Sequence, residues 1–278
     1  MPYSDIRGIR VAVQEGVAVA TIDLPPMNLM GTDLFMALHA FTEAVASDTA
    51  VRVVVFRSAD PDFFVAHGDL ESILTVPEGP PTTSTEPDLV HEVLDRLRRI
   101  PVVTIAEIAG FARGGGSEFA LACDMRFAAK GKAVFGQPEI GLGILPGAGG
   151  TVRLMRLLGR ARAAEIIFSG ADFSAEEAER YGWINRALPP EELSAFVDRL
   201  AHRIARFPRH VIAEIKGVIA DLDPTTAHDF VLEQNAFSRL MAPPDPRTLI
   251  RRALVSGWQT REGEQHIGSR LADLQDDG

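Results

Sequence analysis

Two glutamates stand in settings that suit acid and base chemistry. Glu118 ends the run RGGGSE, and Glu139 follows Gly-Gln-Pro shortly before a second glycine cluster at 147–150. A glycine-rich backbone lets a ligand approach main-chain N–H groups closely, because no Cβ stands in the way. Two neighbouring carboxylates can divide acid and base work between them. Together these features predict an enzyme that stabilises a developing oxyanion and moves protons beside it.

Three other kinds of site fail on spacing. The glycine clusters do not fit a dinucleotide-binding G-x-G-x-x-G, because Phe119 and Pro146 stand where its last glycine is required, and no Walker-type phosphate loop occurs. Ser117 is not in a G-x-S-x-G nucleophile elbow, since Phe119 holds the last position. The seven histidines show no metal-ligand spacing, and the single cysteine, Cys123, cannot form a cysteine cluster. We therefore expect no metal site.

Composition argues against broad nucleic-acid and membrane roles. The chain of 278 residues carries a formal net charge of −10, whereas neutralising phosphates needs clustered Lys and Arg. No run of 18 or more apolar residues occurs, so no transmembrane helix is expected. The N-terminus lacks a basic region followed by an apolar run, and the single cysteine fits a reducing compartment. We expect a cytoplasmic protein that binds neither nucleic acid nor membrane.

The elements that must position the glutamates alternate between strands and helices. Apolar patterns predict a hairpin at 9–23, helices at 34–46 and 89–98, and buried strands at 51–56 and 102–108. A further helix is predicted to begin in the first glycine cluster and to continue to about residue 129. The segment 76–87 is rich in Pro, Thr and Ser and is predicted to be a surface loop. This order is typical of α/β folds with crossover connections.

From about residue 190 the pattern becomes helical. The segment SAEE at 174–177 has the form of a capping box that opens a short helix. Prolines then separate four predicted helices, at 191–206, 209–220, 225–241 and 247–255. We therefore predict an α/β core at residues 1–190, which holds the site, and a helical region at residues 191–278.

The chain resembles the enoyl-CoA hydratase (crotonase) superfamily over roughly residues 10–190. The matching text is ARGGGSEFALACD at 112–124 and FGQPEIGLGILPGAGGT at 135–151, with a weaker match, AHGDL, at 66–70. The resemblance implies an α/β spiral of stacked ββα units. It also implies that the helical C-terminal region covers the active site and assembles the protein as a homotrimer or a dimer of trimers.

The resemblance further implies a coenzyme A thioester as substrate, so that coenzyme A enters as part of the substrate and not as a cofactor. In the family, two backbone N–H groups hold the thioester carbonyl, and by position these belong to Gly68 and Gly115. The helix that begins near Gly115 would add its positive end to this oxyanion hole. Further substrate contacts are implied for Ala66, Asp69, Leu70 and Gly147, although Asp69 is equally suited to cap the helix that follows it.

Hydratases of the family hold one water between two glutamates, which correspond to Glu118 and Glu139. The implied reaction adds that water across the C2–C3 double bond of a 2-enoyl-CoA to give a 3-hydroxyacyl-CoA. Three alternatives stay open: double-bond isomerisation, acyl-CoA binding without turnover, and RNA binding, which the acidic charge disfavours. His67 departs from the family, which usually has glycine there, and is a pocket wall, a substrate contact or an inert neighbour.

Overall fold

Ten strands form two β-sheets in the computed structural model, which describes residues 3–275. The strands are β1 (Ile9–Gln14), β2 (Val17–Ile22), β3 (Val53–Ser58), β4 (Phe63–Val65), β5 (Val103–Ile108), β6 (Phe111–Arg113), β7 (Met125–Ala129), β8 (Val134–Gly136), β9 (Phe173–Ser174) and β10 (Arg186–Leu188). The larger sheet has the order β1-β2-β3-β5-β7-β10 and is parallel apart from the β1–β2 hairpin. The smaller sheet has the order β4-β6-β8-β9.

Helices connect and cover these sheets. The core contains α1 (Thr32–Ser47), α2 (Leu70–Leu74), α3 (Leu89–Arg99), α4 (Gly115–Ala122), a 3₁₀ helix (Pro138–Leu142), α5 (Gly150–Leu158), α6 (Arg160–Ser169) and α7 (Ala175–Tyr181). The C-terminal part contains α8 (Pro190–Ala205), α9 (Arg209–Leu222), α10 (Ala227–Met241), α11 (Asp245–Val255), α12 (Arg261–Glu264), α13 (Ile267–Arg270) and a last 3₁₀ helix (Ala272–Gln275). None of the helices in residues 3–275 combines the length and apolarity that crossing a membrane requires.

The core repeats one unit of two strands and a helix. The units are β3-β4-α2, β5-β6-α4 and β7-β8 with the first 3₁₀ helix. In each unit the first strand joins the larger sheet and the second joins the smaller one. Because β4, β6 and β8 run parallel, the turns that follow them meet at one edge of the smaller sheet. This arrangement confirms the predicted spiral of ββα units.

The larger sheet is covered on both faces, which explains why its central strands are continuous apolar runs. Residues 53–56 of β3 are all fully buried. On one face, α1, α3 and α4 build the main core, where Phe56 and Phe119 meet edge to face at 5.1 Å. On the other face, α8 packs through Leu193, Val197 and Ala201.

The C-terminal helices fold back onto the core of the same chain. Met241, Ile250 and Trp258 form an apolar cluster with Leu70 of α2 and Leu142 of the first 3₁₀ helix. The helical C-terminal region is therefore present as predicted, and it packs against two elements that follow strands of the smaller sheet.

Most predicted elements lie within two residues of their observed bounds, and the predicted capping box opens α7. The predicted domain boundary coincides with the start of α8 at Pro190, and the division into two domains stays a prediction. Residues 276–278 of the predicted helical region, and residues 1–2 of the core, lie outside the described part.

The helix predicted to continue to residue 129 is wrong. Helix α4 ends at Ala122, and Met125 already begins β7. The Asp124 carboxylate accepts hydrogen bonds from the N–H and hydroxyl of Thr104, at 2.7 and 3.0 Å, and so joins the turn to β5. Cys123, the C-cap, has an extended backbone and packs in the main core. Pairing with the sheet thus overrides the local helical pattern.

Candidate active site

A cavity of about 310 Å³ lies where the turns after β4, β6 and β8 meet. Six of the eight predicted site residues line it: Gly68, Asp69, Gly115, Glu118, Glu139 and Gly147. Apolar side chains that include Phe35, Ile73 and Phe237 complete the wall. Phe237 comes from α10, so the C-terminal region contributes to the cavity wall. The structure therefore brings both glutamates and both predicted amide donors to one cavity.

The other two predicted substrate-contacting residues do not line this cavity. Ala66 is fully buried against Met27 and Phe63, because its side chain belongs to the core behind the loop. Leu70 lies on the face of α2 that packs into the C-terminal apolar cluster. Their side chains are thus structural contacts of the loop, and a substrate contact at these two positions stays a prediction.

The Gly68 and Gly115 backbones approach each other closely. A Cβ built on Gly115 would lie 3.1 Å from the Gly68 nitrogen and 3.0 Å from the Met30 Cβ, so only glycine fits there without displacement. Gly115 is also the first residue of α4, whose first N–H groups have no partner within the helix. Two amides can therefore serve one ligand oxygen, with the positive end of α4 behind one of them.

The loop that carries Gly68 is held by Met30. The N–H of Met30 donates to the His67 carbonyl at 2.8 Å, and the Met30 carbonyl accepts from the Asp69 N–H at 3.1 Å. The Asp69 carboxylate caps α2 by accepting from the Glu71 N–H, as the alternative prediction for this residue had it. The two bonds of Met30 flank Gly68 and leave its own N–H available to the cavity.

Glu118 is held by the N-terminus of α5. Its Oε1 accepts from the Ala148 N–H at 2.7 Å and from the Gly150 N–H at 2.8 Å. Because both bonds reach one oxygen, Oε2 is the atom with acceptor capacity to spare. Burial first, and then the charge of Glu233, raise the pKa of Glu118 to about 7 against the opposing effect of the two N–H groups.

Glu139 is the second residue of the first 3₁₀ helix, directly after Pro138. With its amide nitrogen turned toward Glu139, Gln137 donates to both carboxylate oxygens, at 3.2 and 3.0 Å. The carboxylate lies against Gly114, the N-cap of α4, whose φ of +44° and lack of a Cβ are both required there. Burial, followed by the charge of Glu118, raises the pKa of Glu139 well above its usual range.

A third buried glutamate, Glu233 of α10, lies behind Glu118. It accepts from the Gly149 N–H through Oε1 and from the Val152 N–H at 3.0 Å through Oε2, so α5 holds two carboxylates at its N-terminus. His91 of α3 donates to Glu233 at 3.2 Å and is itself buried. Sequence reasoning missed this residue, because nothing local to 233 distinguishes it from any other helical glutamate.

His67 points away from the cavity and into the C-terminal segment. Its Nδ1 donates to the Gly68 carbonyl at 2.6 Å, and its Nε2 donates to Glu264 Oε1 at 2.8 Å. Both side chains of this pair are buried, and His67 is absent from the cavity wall. Of the interpretations considered for His67, a pocket wall therefore does not fit its position. Glu264 was not anticipated from the sequence.

The residues described suit acid–base chemistry beside an oxyanion more than metal chemistry. Within residues 3–275, no group of three His, Cys, Asp or Glu is placed to hold a metal ion. Two carboxylates with raised pKa values line the same cavity as a pair of closely spaced glycine backbones.

Comparison with known proteins identifies the family. The family model described as enoyl-CoA hydratase/isomerase matches residues 12–248. The short-chain-enoyl-CoA hydratase of Clostridium acetobutylicum is 32% identical over 257 residues, covering 88% of this chain and 95% of that protein. The crotonyl-CoA hydratase of Syntrophomonas wolfei is 33% identical, covering 84% and 90%. The solved structure of a candidate enoyl-CoA hydratase from Streptomyces avermitilis superimposes with a TM-score of 0.89 at 38% identity, over 97% of this chain and 99% of that one.

The chain therefore belongs to the enoyl-CoA hydratase/isomerase family, and the resemblance inferred from its sequence is confirmed.

Proposed function

We propose that this enzyme hydrates the C2–C3 double bond of a 2-enoyl-CoA to give a 3-hydroxyacyl-CoA. The observation that carries the proposal is the pair of buried carboxylates, Glu118 and Glu139, in one cavity with the Gly68 and Gly115 amides. Relatives whose names specify crotonyl-CoA and short-chain enoyl-CoA hydratases support the same reaction. The reaction needs no separate cofactor, since coenzyme A is part of the substrate.

In the proposed mechanism the thioester oxygen accepts from the Gly68 and Gly115 N–H groups. Attack of water at C3 moves electron density onto this oxygen and creates an enolate. The two amides and the end of α4 stabilise that charge, because they are fixed in place before it develops. Apolar side chains such as Phe35, Ile73 and Phe237 lower the polarity of the cavity, which strengthens these interactions relative to water.

The two glutamates then divide the proton transfers. With both pKa values raised, the pair holds one proton near neutral pH, so one carboxylate is ionised and the other is an acid. The ionised group takes a proton from water as its oxygen bonds to C3. The protonated group delivers its proton to C2, the enolate collapses to the thioester, and one proton remains shared by the pair. The Gly147 backbone lines the same wall and is proposed to contact the water.

Isomerisation of an enoyl-CoA double bond is the second candidate. It would use the same amide pair but a single carboxylate to carry a proton between two carbons. The presence of two buried carboxylates, each with its own backbone or amide partners, favours hydration. The substrate tested distinguishes the two, because hydration consumes a 2-enoyl-CoA and isomerisation of a 3-enoyl-CoA produces one.

The test is turnover of crotonyl-CoA, followed as loss of the enoyl absorbance. We expect hydration by the wild-type enzyme and a fall in kcat of about 10³-fold in Glu118→Gln and in Glu139→Gln, since each removes one proton-transfer group. Unchanged rates in both variants would refute the two-carboxylate mechanism. Binding of enoyl-CoA thioesters of every chain length without turnover would instead favour an acyl-CoA-binding role.

We also propose that the enzyme assembles as a homotrimer or a dimer of trimers. Helix α9 exposes Ile215, Ile219 and Leu222, and Phe207 just before it is half exposed. Apolar side chains this exposed and this close together are typical of a surface that pairs with another subunit. Light scattering at micromolar concentration should give three or six times the mass of one chain, and a monomer would contradict the proposal.

A further inference from the structure

The loop that carries Gly68 is held by the chain's own C-terminal segment. Gln259 accepts from the Leu70 N–H at 2.7 Å and donates to the Asp69 carboxylate at 3.2 Å. The N–H of Gln259 in turn donates to Glu264 Oε1 at 2.9 Å, beside the bond from His67. Gln259 itself adopts φ +63°, a conformation that non-glycine residues rarely take and that the surrounding contacts must stabilise. The segment thus contacts the loop at His67, Asp69 and Leu70.

His67 bridges the loop and this segment through both ring nitrogens. Nδ1 lies 2.6 Å from the Gly68 carbonyl oxygen, and Nε2 lies 2.8 Å from Glu264 Oε1. Although burial favours the neutral form of Glu264, the charge and hydrogen bond of His67 hold its pKa below the usual range. The Trp258 ring packs against the His67 ring, and the centroids of these two rings are 5.7 Å apart.

This contact acts on the peptide that offers the Gly68 N–H. The His67 carbonyl is fixed by Met30 on one side of that nitrogen, and the Gly68 carbonyl is fixed by the His67 ring on the other. Glycine has more backbone freedom than any other residue, so an amide donor on glycine needs external bracing to keep its direction. Hydrogen bonds at both ends of Gly68 supply that bracing.

We propose that His67 and Glu264 are positioning residues of the oxyanion hole, through which the C-terminal segment fixes the direction of the Gly68 N–H. The inference rests on the proposed function, because it assigns Gly68 as an oxyanion donor. It follows that His67 is neither a substrate contact nor an inert neighbour. The amide is aligned only when the segment around Glu264 is seated on the loop.

The first test is steady-state hydration of crotonyl-CoA by Glu264→Gln and His67→Gln. A donor that is aligned for the enolate acts in the transition state, so we expect kcat to fall by about tenfold or more while KM stays within about twofold. Glu262→Gln is the matched control. Glu262 lies two residues before Glu264 on α12 with an exposed side chain, so the same Glu-to-Gln change there should leave kcat within about twofold. A wild-type kcat in both Glu264→Gln and His67→Gln would overturn the proposal, as would an equal loss of kcat in the control.

The second test does not depend on turnover. Amide hydrogen exchange measured by mass spectrometry should be faster at residues 66–74 in Glu264→Gln and His67→Gln, and unchanged there in Glu262→Gln. Unchanged exchange in the loop variants would overturn the inference whatever the activity. If wild-type protein hydrates no enoyl-CoA, the proposed function fails, and the exchange data still decide whether this pair braces the loop.

Discussion

Two buried histidine–glutamate pairs support two walls of the cavity. His91 and Glu233 stand behind the wall that contains Glu118, called here the carboxylate wall. His67 and Glu264 stand behind the wall that contains Gly68, the proposed oxyanion donor, called here the oxyanion wall. In both pairs the histidine comes from the α/β core and the glutamate comes from the C-terminal helices, so the C-terminal region contributes a buried partner behind each wall.

The two pairs differ in what the glutamate holds. Glu233 uses both oxygens, for His91 and for two backbone N–H groups of α5. Glu264 uses only Oε1, for His67 and the Gln259 N–H, and its Oε2 has no hydrogen-bond partner among the described residues. Glu233 therefore holds the N-terminus of α5, whereas Glu264 holds the loop that carries Gly68.

The histidines differ as well. His91 faces a second carboxylate, Asp88, at 2.8 Å, whereas His67 faces a carbonyl. Burial is the largest cause of the raised pKa values of Glu118 and Glu139, and the charge of Glu233 contributes to each shift. The carboxylate wall thus depends on a balance of charge, and the oxyanion wall depends on the direction of one amide. The two walls should therefore be tested by different measurements.

Removing Glu233 should have the largest effect on stability. In Glu233→Ala, the N–H groups of Gly149 and Val152 lose their buried partner, while His91 keeps Asp88. Each buried donor left without a partner costs about 1–3 kcal/mol, so the two together cost about 2–6 kcal/mol. Urea unfolding should report a loss of this size in the free energy of unfolding.

Glu264→Ala sharpens this comparison. It also leaves a buried histidine, but it frees one backbone N–H where Glu233→Ala frees two. We therefore expect a smaller loss of unfolding free energy than in Glu233→Ala. Equal losses would show that the helix-terminus bonds of Glu233 contribute little, and that the two pairs are equivalent in stability.

The second prediction concerns the pH dependence of stability. Burial alone would lower the pKa of His91, but its hydrogen bonds to Asp88 and Glu233 and their charges raise it from 6.5 to about 9. A histidine whose pKa is raised by folding stabilises the folded state fully below pH 6.5 and loses that contribution as pH rises through 9. The expected loss between these limits is about 3 kcal/mol.

Urea unfolding at pH 6 and at pH 10 measures this loss, and His91→Gln is the comparison. The variant lacks the titrating ring, so its unfolding free energy should fall less than that of the wild type over this range. If the unfolding free energies of both proteins fell equally with pH, His91 would not be the source of the pH dependence. The charge of His91 would then not stabilise the carboxylate wall.

The motifs around Gly115 and Glu118 could be recognised in the sequence because their proposed function depends on local geometry. Gly115 must lack a Cβ, and Glu118 stands one helical turn further along α4, so both appear in one short run. The ββα repeat was implied by the same resemblance. Local patterns also predicted most helix and strand bounds, but not the end of α4, which pairing of β7 with β5 determines.

The supporting pairs could not be predicted in this way. His91 and Glu233 are 142 residues apart in sequence, and His67 and Glu264 are 197 apart. Each pair is created by the return of the C-terminal helices to the core, and no local spacing encodes that return. His67 was recognised as a departure from the family, but its meaning depended on a partner that only the fold brings to it.

The third prediction isolates the oxyanion wall through its two glycines. A methyl group in Gly115→Ala would lie 3.1 Å from the Gly68 nitrogen and 3.0 Å from the Met30 Cβ, closer than neighbours in a packed core normally approach. Either the methyl blocks the thioester oxygen or the two amides move apart. Loss of one oxyanion donor typically lowers kcat by at least ~100-fold, and we expect that loss in hydration of crotonyl-CoA.

Gly68→Ala is the matched variant on the facing backbone. Its methyl group would meet only Ile73 Cδ1, at 3.7 Å, which is an ordinary van der Waals contact, and Gly68 is not in the left-handed region. Alanine would also restrict the backbone that His67 otherwise has to brace. We therefore expect kcat to change by less than about threefold, which is below roughly 1 kcal/mol. If Gly68→Ala instead lost as much activity as Gly115→Ala, both sides of the proposed oxyanion hole would be equally intolerant of a methyl group. The direction of the Gly68 amide would then not depend on bracing by His67.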